Sequence, residues 1–252
     1  MNMSSISDNG DFSTIVRLKT EKNYFLNEDI TFVAIDGTFS EVTTDEGKIS
    51  YIVIGMVSGK LFKNLKYVIN NVKVKDEVCN CNGESRMREL EYQFWNNENA
   101  DIVFFDRKLS YDRSLGIPIP SNAIGIVKDF DASIRMQLNK IPYPPWLKIE
   151  TKGKEMLSGY YKLFSASWVF YFESYIFTEE PLILLSILYS LGSEPIPEAL
   201  GYNYPLFLAD KLVKYYRNKM DNFLKTIQIG GNIRYREFRS WMEKLRNDAK
   251  YI

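Results

Sequence analysis

The chain has 252 residues, with 32 Lys and Arg against 32 Asp and Glu and a hydrophobic fraction of 45%. That suffices for one large domain or two small ones, and the zero net charge excludes a histone-like nucleic-acid coat without excluding a nucleic-acid enzyme, whose basic patches are local. There are 0 histidines, which excludes Ser-His-Asp and Cys-His catalysis and histidine-based zinc sites; any metal must then be held by carboxylates, a ligand set that suits Mg²⁺ or Mn²⁺.

The start, MNMSSISDNGDFS, is polar and has no signal-peptide core. Residues 1–29 are expected to form an arm with a short helix at most, followed by a single domain over 30–252. A strand-rich block opens that domain. ITFVAID (30–36), ISYIVIGMVS (49–58) and LKYVINNVKVKD (65–76) read as three strands of an antiparallel meander, broken at Gly37, Gly47 and Gly59. Cys79 and Cys81 are too few for a structural zinc site. One intervening residue is an awkward span for a disulfide, so they are expected to be unremarkable residues in a reducing compartment.

ESRMRELEYQFWNNE (84–98) reads as a helix, and DIVFFD (101–106) as a short buried strand. Residues 107–150 read as loop-rich, with one candidate strand in AIGIVKD. The apolar run 168–192 is interrupted by Glu173, Glu179, Glu180 and Pro181. Its longest clean stretch, Pro181 to Leu191, is too short to span a bilayer. It is expected to be a buried helix or strand pair of a cytoplasmic protein that makes no membrane contact. PLFLADKLVKYYRNKMDNFLKTI (205–227) reads as a long amphipathic helix with Pro205 in its first turn. YREFRSWMEKLRNDAKYI reads as a last helix; Arg234 just before it and its Arg236, Arg239, Lys244 and Arg246 form a stretch that suits either a DNA backbone or a solvated face.

The order strand, strand, strand, helix, strand and a late helix is that of an α/β ribonuclease-H-like fold, a mixed sheet flanked by helices with extra helices toward the C-terminus. An acid stands at each place where that fold carries metal carboxylates. Asp36 ends the first strand, where an Asp-Gly turn is the plain alternative. Asp106 ends the fourth. At about 100° per residue, Met87, Leu90, Phe94 and Trp95 form the apolar stripe of the first helix. Glu91 falls inside it, and Glu89, the second choice, points away. A charge there is costly unless paired or metal-bound, and pairing with Arg86 or Arg88 is the structural alternative. On the late helix Asp210 lies within the face made by Leu206, Ala209, Val213, Met220 and Leu224, with Lys214 and Arg217 as possible neutralising partners. Phosphodiester hydrolysis by two metals uses such a set, with ions about 4 Å apart.

These stretches resemble the NurA nucleases of archaeal DNA-end processing. VAIDGTFS (33–40) looks like the family's strand-one motif. RELE (88–91) followed by DIVFFDRKL (101–109) resembles its helix glutamate and second aspartate. GIVKD (125–129) resembles its Gly-x-x-Lys segment, and GYNYPLFLADK (201–211) its late motif. The resemblance implies a ribonuclease-H-like homodimer that cleaves DNA with Mn²⁺ or Mg²⁺. Such an enzyme is a 5′-to-3′ exonuclease with some single-strand endonuclease activity, working in end resection with a hexameric HerA-type ATPase. It also implies Asp36, Glu91, Asp106 and Asp210 as metal ligands and catalytic residues, and Lys128 beside the scissile phosphate, where a solvated strand-end lysine is the alternative. Two departures stand out: Asp210 occupies the place of the family's histidine, and Asp-Arg-Lys-Leu replaces Asp-Gly-Ser-Leu. A NurA-like protein that binds DNA or the ATPase without effective cleavage is therefore the alternative function.

Overall fold

The computed structural model describes residues 14–18, 26–44, 47–95 and 99–228, with residues 240 and 243. The last helix expected over 235–252 lies almost wholly outside them. The elements are β1 (Ile15–Arg17), β2 (Ile30–Thr44), β3 (Gly47–Leu61), β4 (Tyr67–Cys79), α1 (Gly83–Trp95), β5 (Ile102–Phe105), α2 (Leu109–Ser114), β6 (Ala123–Val127), α3 (Ala132–Leu138), β7 (Trp146–Lys152), β8 (Leu157–Lys162), β9 (Phe170–Ser174), α4 (Pro181–Leu191) and α5 (Tyr204–Gln228). The strands follow the order β1-β7-β8-β9-β6-β5-β2-β3-β4 in one nine-stranded sheet.

The chain gathers into two compact units. One holds residues 1–35, 57–72 and 98–208; the other holds 36–56, 73–97 and 209–252. In the first, β2, β5 and β6 are parallel, with Val33 opposite Val103, Ile35 opposite Phe105, and Phe105 opposite Gly125. β9 returns antiparallel against β6, β8 against β9, β7 against β8, and β1 against β7. Parallel strands covered on both faces need continuous apolar runs rather than alternation, which is why every residue of IVFF in β5 is buried. Leu184, Leu185, Ile187 and Leu191 of α4 join Phe32, Phe104, Ile124 and Phe172 in the core of this unit. In the second unit Val42, Ile49, Tyr51 and Val53 pack with Val213 and Met220 of α5.

Several expectations are corrected. Asp36 does not end its strand: β2 runs on through Gly37 to Thr44, so the Asp-Gly pair is not a turn. Gly59 likewise lies inside β3, where a Cβ would stand 2.2 Å from the Val68 carbonyl oxygen. The arm contributes β1, held by ladder bonds to β7. The stretch taken as loop-rich contains α2, α3 and β7 as well as β6. These elements are short, and α3 depends on Asp131, whose carboxylate accepts from the backbone N–H groups of Ser133 and Ile134. The run 168–192 resolves into one strand, β9, and one helix, α4, with Pro181 at its start. Cys79 and Cys81 are joined in a disulfide rather than free; the end of β4 and the following bend bring their Cα atoms to 5.3 Å, within bridging range. Among the described residues no helix is long and apolar enough to cross a membrane.

Gly125 in β6 is the tightest requirement near the parallel strand ends. A Cβ there would stand 2.4 Å from the Arg107 carbonyl oxygen and 2.8 Å from Leu109 Cγ. Since backbone cannot retreat as a side chain can, Gly125→Ala is expected to lower stability by about 2 kcal/mol, read as a shift in the urea midpoint with the slope unchanged.

Candidate metal and phosphate site

Each predicted acid has a definite place. In the second unit Asp36 follows Ile35 along β2 and is half-buried, and Asp210 on α5 is 9% exposed. One carboxylate oxygen of each lies within 4.8 Å of the other. Two like charges so close repel one another unless a cation intervenes. Hard oxygen donors at this spacing could hold a divalent ion such as Mg²⁺ or Mn²⁺. In the structure a cation does meet Asp210: Lys214, one turn further along α5, places its ammonium 2.7 Å from Asp210 Oδ1. Lys214 is half-exposed, so this pair is weak. Arg217 turns elsewhere, donating to Thr38 Oγ1 at 3.2 Å and lying 3.9 Å from Asp221.

Glu91 rather than Glu89 points inward. Glu91 is 1% exposed, whereas Glu89 lies at the surface, paired with Arg86 at 3.0 Å. Arg86 also binds Glu77, and Arg88 reaches Glu84 at 2.8 Å. The buried side of α1 comprises Leu90, Glu91 and Tyr92; Met87, Phe94 and Trp95 are only partly covered. Glu91 Oε1 sits against Gly37, where a Cβ would stand 2.5 Å away. The glycine next to Asp36 thus serves close approach of a carboxylate, not a turn, a role that the Asp-Gly pair alone did not signal. Glu91 lies outside the group whose oxygens come within 4.8 Å.

In the first unit Asp106 follows Phe105, the last residue of β5. Lys128, one residue past β6, places its ammonium 2.6 Å from Asp106 Oδ2 and 4.5 Å from the centre of the Tyr202 ring. Tyr202 is buried against Phe170, so packing and the positioning of Lys128 fall to the same residue. Asn203 starts α5, its side chain accepting from the Leu206 N–H at 2.9 Å. Arg107 has a local explanation: its guanidinium lies 3.2 Å from the fully buried Asp112. Asp112 and Glu173 are buried acids that sequence reasoning passed over. Glu173 accepts from Ser110 N and Oγ, both at 2.7 Å, and so anchors α2.

Parallel strands that carry an acid where their pairing ends, a first helix that turns a glutamate inward and a late helix that bears an aspartate define the ribonuclease-H-like class of α/β proteins. Within that class, the NurA domain matches residues 30–215, and the chain belongs to the NurA family. The NurA nuclease from Sulfolobus solfataricus is similar in fold, with a TM-score of 0.53 at 14% identity over 85% of this chain and 88% of that one. Endonuclease V from Bacillus subtilis aligns with a TM-score of 0.47 at 14% identity, covering 76% of this chain and 82% of that one. No curated protein sequence matches this chain.

Burial pushes the Tyr161 hydroxyl well above its ordinary value of 10.0, and the nearby Asp106 charge adds to the rise. Below that value Tyr161 keeps its proton in both folded and unfolded chains. Above it, only the unfolded chain releases the proton, so stability falls as pH rises. Tyr161→Phe is therefore expected to flatten the loss of stability between about pH 10 and 12, measured by urea unfolding at successive pH values.

Proposed function

We propose that this chain is a metal-dependent deoxyribonuclease whose site is made by Asp36, Asp106, Asp210 and Glu91 with Lys128. The observation that carries the reading is the Asp36–Asp210 pair, oxygens within 4.8 Å, in a chain of the NurA family. Asp36 and Asp106 are each the next residue after the facing pair Ile35 and Phe105.

In this reading Asp36, Asp106 and Asp210 hold Mn²⁺ or Mg²⁺, and the buried Glu91 backs them from α1. A bound ion supplies Lewis-acid activation of water and stabilisation of the leaving oxygen. Lys128, steadied by Asp106 and the Tyr202 ring, presents its ammonium to the scissile phosphate. Gly37 leaves room for Glu91 beside Asp36. Lys214, half-exposed and weakly paired, would leave Asp210 available to such an ion. The substrate is single-stranded DNA or duplex ends, attacked 5′ to 3′ with some single-strand endonuclease activity. The setting is DNA end resection in the cytoplasm, by a homodimer partnered with a HerA-type hexameric ATPase.

The second reading, a DNA- or ATPase-binding protein without effective cleavage, is favoured by the lysines that already neutralise Asp106 and Asp210. Degradation of a 5′-labelled linear duplex and of a single strand, with Mn²⁺, Mg²⁺ or EDTA, separates the two. Metal-dependent cutting that falls more than about 100-fold in Asp36→Ala is the expected result. No cutting with either metal, together with no Mn²⁺ uptake by calorimetry and retained DNA binding, would establish the binding-only protein.

A further inference from the structure

A second cationic feature stands on the same strand edge as Asp106 and Lys128. β8 runs parallel to β5 and β6, since it is antiparallel to β9, which is antiparallel to β6. The C-terminal end of β8 therefore emerges at the same edge, and its last residue is Lys162. Lys162 is only 9% exposed. Its ammonium reaches Asn139 Oδ1 at 3.0 Å. An ammonium has three donors, and a buried charge normally finds a carboxylate. Among the described residues none lines the open cavity of about 320 Å³ at Lys162; its walls are Asn139, Lys162, Ser165, Ala166, Ser167 and Trp168. Burial holds the Lys162 ammonium below its ordinary range with no acid offsetting it.

Trp168, at the rim, is 64% exposed, an unusual position for the largest side chain. The Arg135 guanidinium lies 5.3 Å from its ring centre and 4.5 Å from that of Phe130. Arg135 also donates to the carbonyl oxygen of Lys128. One arginine thus joins the residue beside the candidate site to the indole at this cavity. A cation-backed aromatic beside a buried, acid-free ammonium fits an anion with a flat ring attached, which is the chemistry of a nucleotide.

We infer that the Lys162–Trp168 cavity is a strand-holding subsite for single-stranded DNA, with a backbone phosphate on the Lys162 ammonium and a base on the Trp168 ring. From β5 to β8 is three strand spacings of about 4.8 Å, hence ~14 Å across the sheet. At ~3.4 Å per stacked nucleotide the subsite lies about four nucleotides from Asp106. It holds the strand that the neighbouring acids cut, so the choice of DNA as ligand rests on the nuclease reading.

The test is binding of a fluorescein-labelled 12-nucleotide oligothymidylate to the full chain in EDTA, where nothing is cleaved. Lys162→Met and Trp168→Ala are each expected to weaken binding about ten-fold. Lys162→Met should also reduce the dependence of log affinity on log salt by ~0.7, the contribution of one phosphate contact on a single strand. Because Lys162→Met removes a buried charge that meets no carboxylate among the described residues, its melting temperature should be unchanged or higher, and lost binding cannot then be ascribed to unfolding. Affinities within two-fold of wild type for both variants would overturn the subsite. Equal weakening of inorganic phosphate and oligonucleotide by Lys162→Met, with no effect of Trp168→Ala, would overturn the stacked base. Hydrolysis of bis(p-nitrophenyl) phosphate by the wild-type chain with Mn²⁺ tests the nuclease reading separately, because that diester is too short to reach Lys162.

Discussion

The parallel register between β2 and β5 is the constraint that fixes where Asp36 and Asp106 fall along the chain. Ile35 faces Phe105, and each strand then carries a carboxylate at its next residue. A slip of one residue would send every side chain of one strand to the opposite face. The register is held by burial on both sides: Val33, Ala34, Ile35, Val103, Phe104 and Phe105 are all essentially inaccessible to water. Hydrophobic packing thus sets where along its own strand each carboxylate falls.

Charge is the second organising force. Asp36 and Asp210 bring carboxylate oxygens together within one unit, and Glu91 lies buried in that same unit. Lys214 sits on Asp210 from the following turn of α5. In the other unit Lys128 sits on Asp106. Both ammonium groups are partly solvated, so their pairs are weak. Glu91, by contrast, is buried, and a Cβ on Gly37 would crowd its carboxylate, 2.5 Å from Oε1.

In the first unit the ends of β5, β6 and β8 form a common edge. Lys128, Arg135, Trp168 and Lys162 follow one another along it through a carbonyl contact, a ring contact and the cavity wall. Open α/β sheets place ligands outside the carboxyl ends of their strands because loops and helix termini, not packed side chains, face that edge. Here it collects cations and an exposed indole, in a chain whose net charge is zero. Overall neutrality therefore conceals a local field.

Much of this was legible in the sequence. Continuous apolar runs announced β5 and the start of β2, and a 3.6-residue period separated Glu91 from Glu89 and set Asp210 on the covered side of α5. Those signals are local, and burial on a helix or strand repeats at a fixed interval. The passage of β2 through Gly37 was not legible, because Asp-Gly looks the same in a turn and in a strand against which Glu91 packs. Nor were α2, α3, β7 and the Cys79–Cys81 bridge, whose short segments owe their form to Glu173, Asp131 and neighbouring strands. The sequence by itself determined the residue types available for chemistry, carboxylates without histidine, and the buried faces that carry them. Only the tertiary structure decided which of them meet, and that Lys162 and Trp168 share a cavity, because strand order and parallel pairing join residues far apart in the chain.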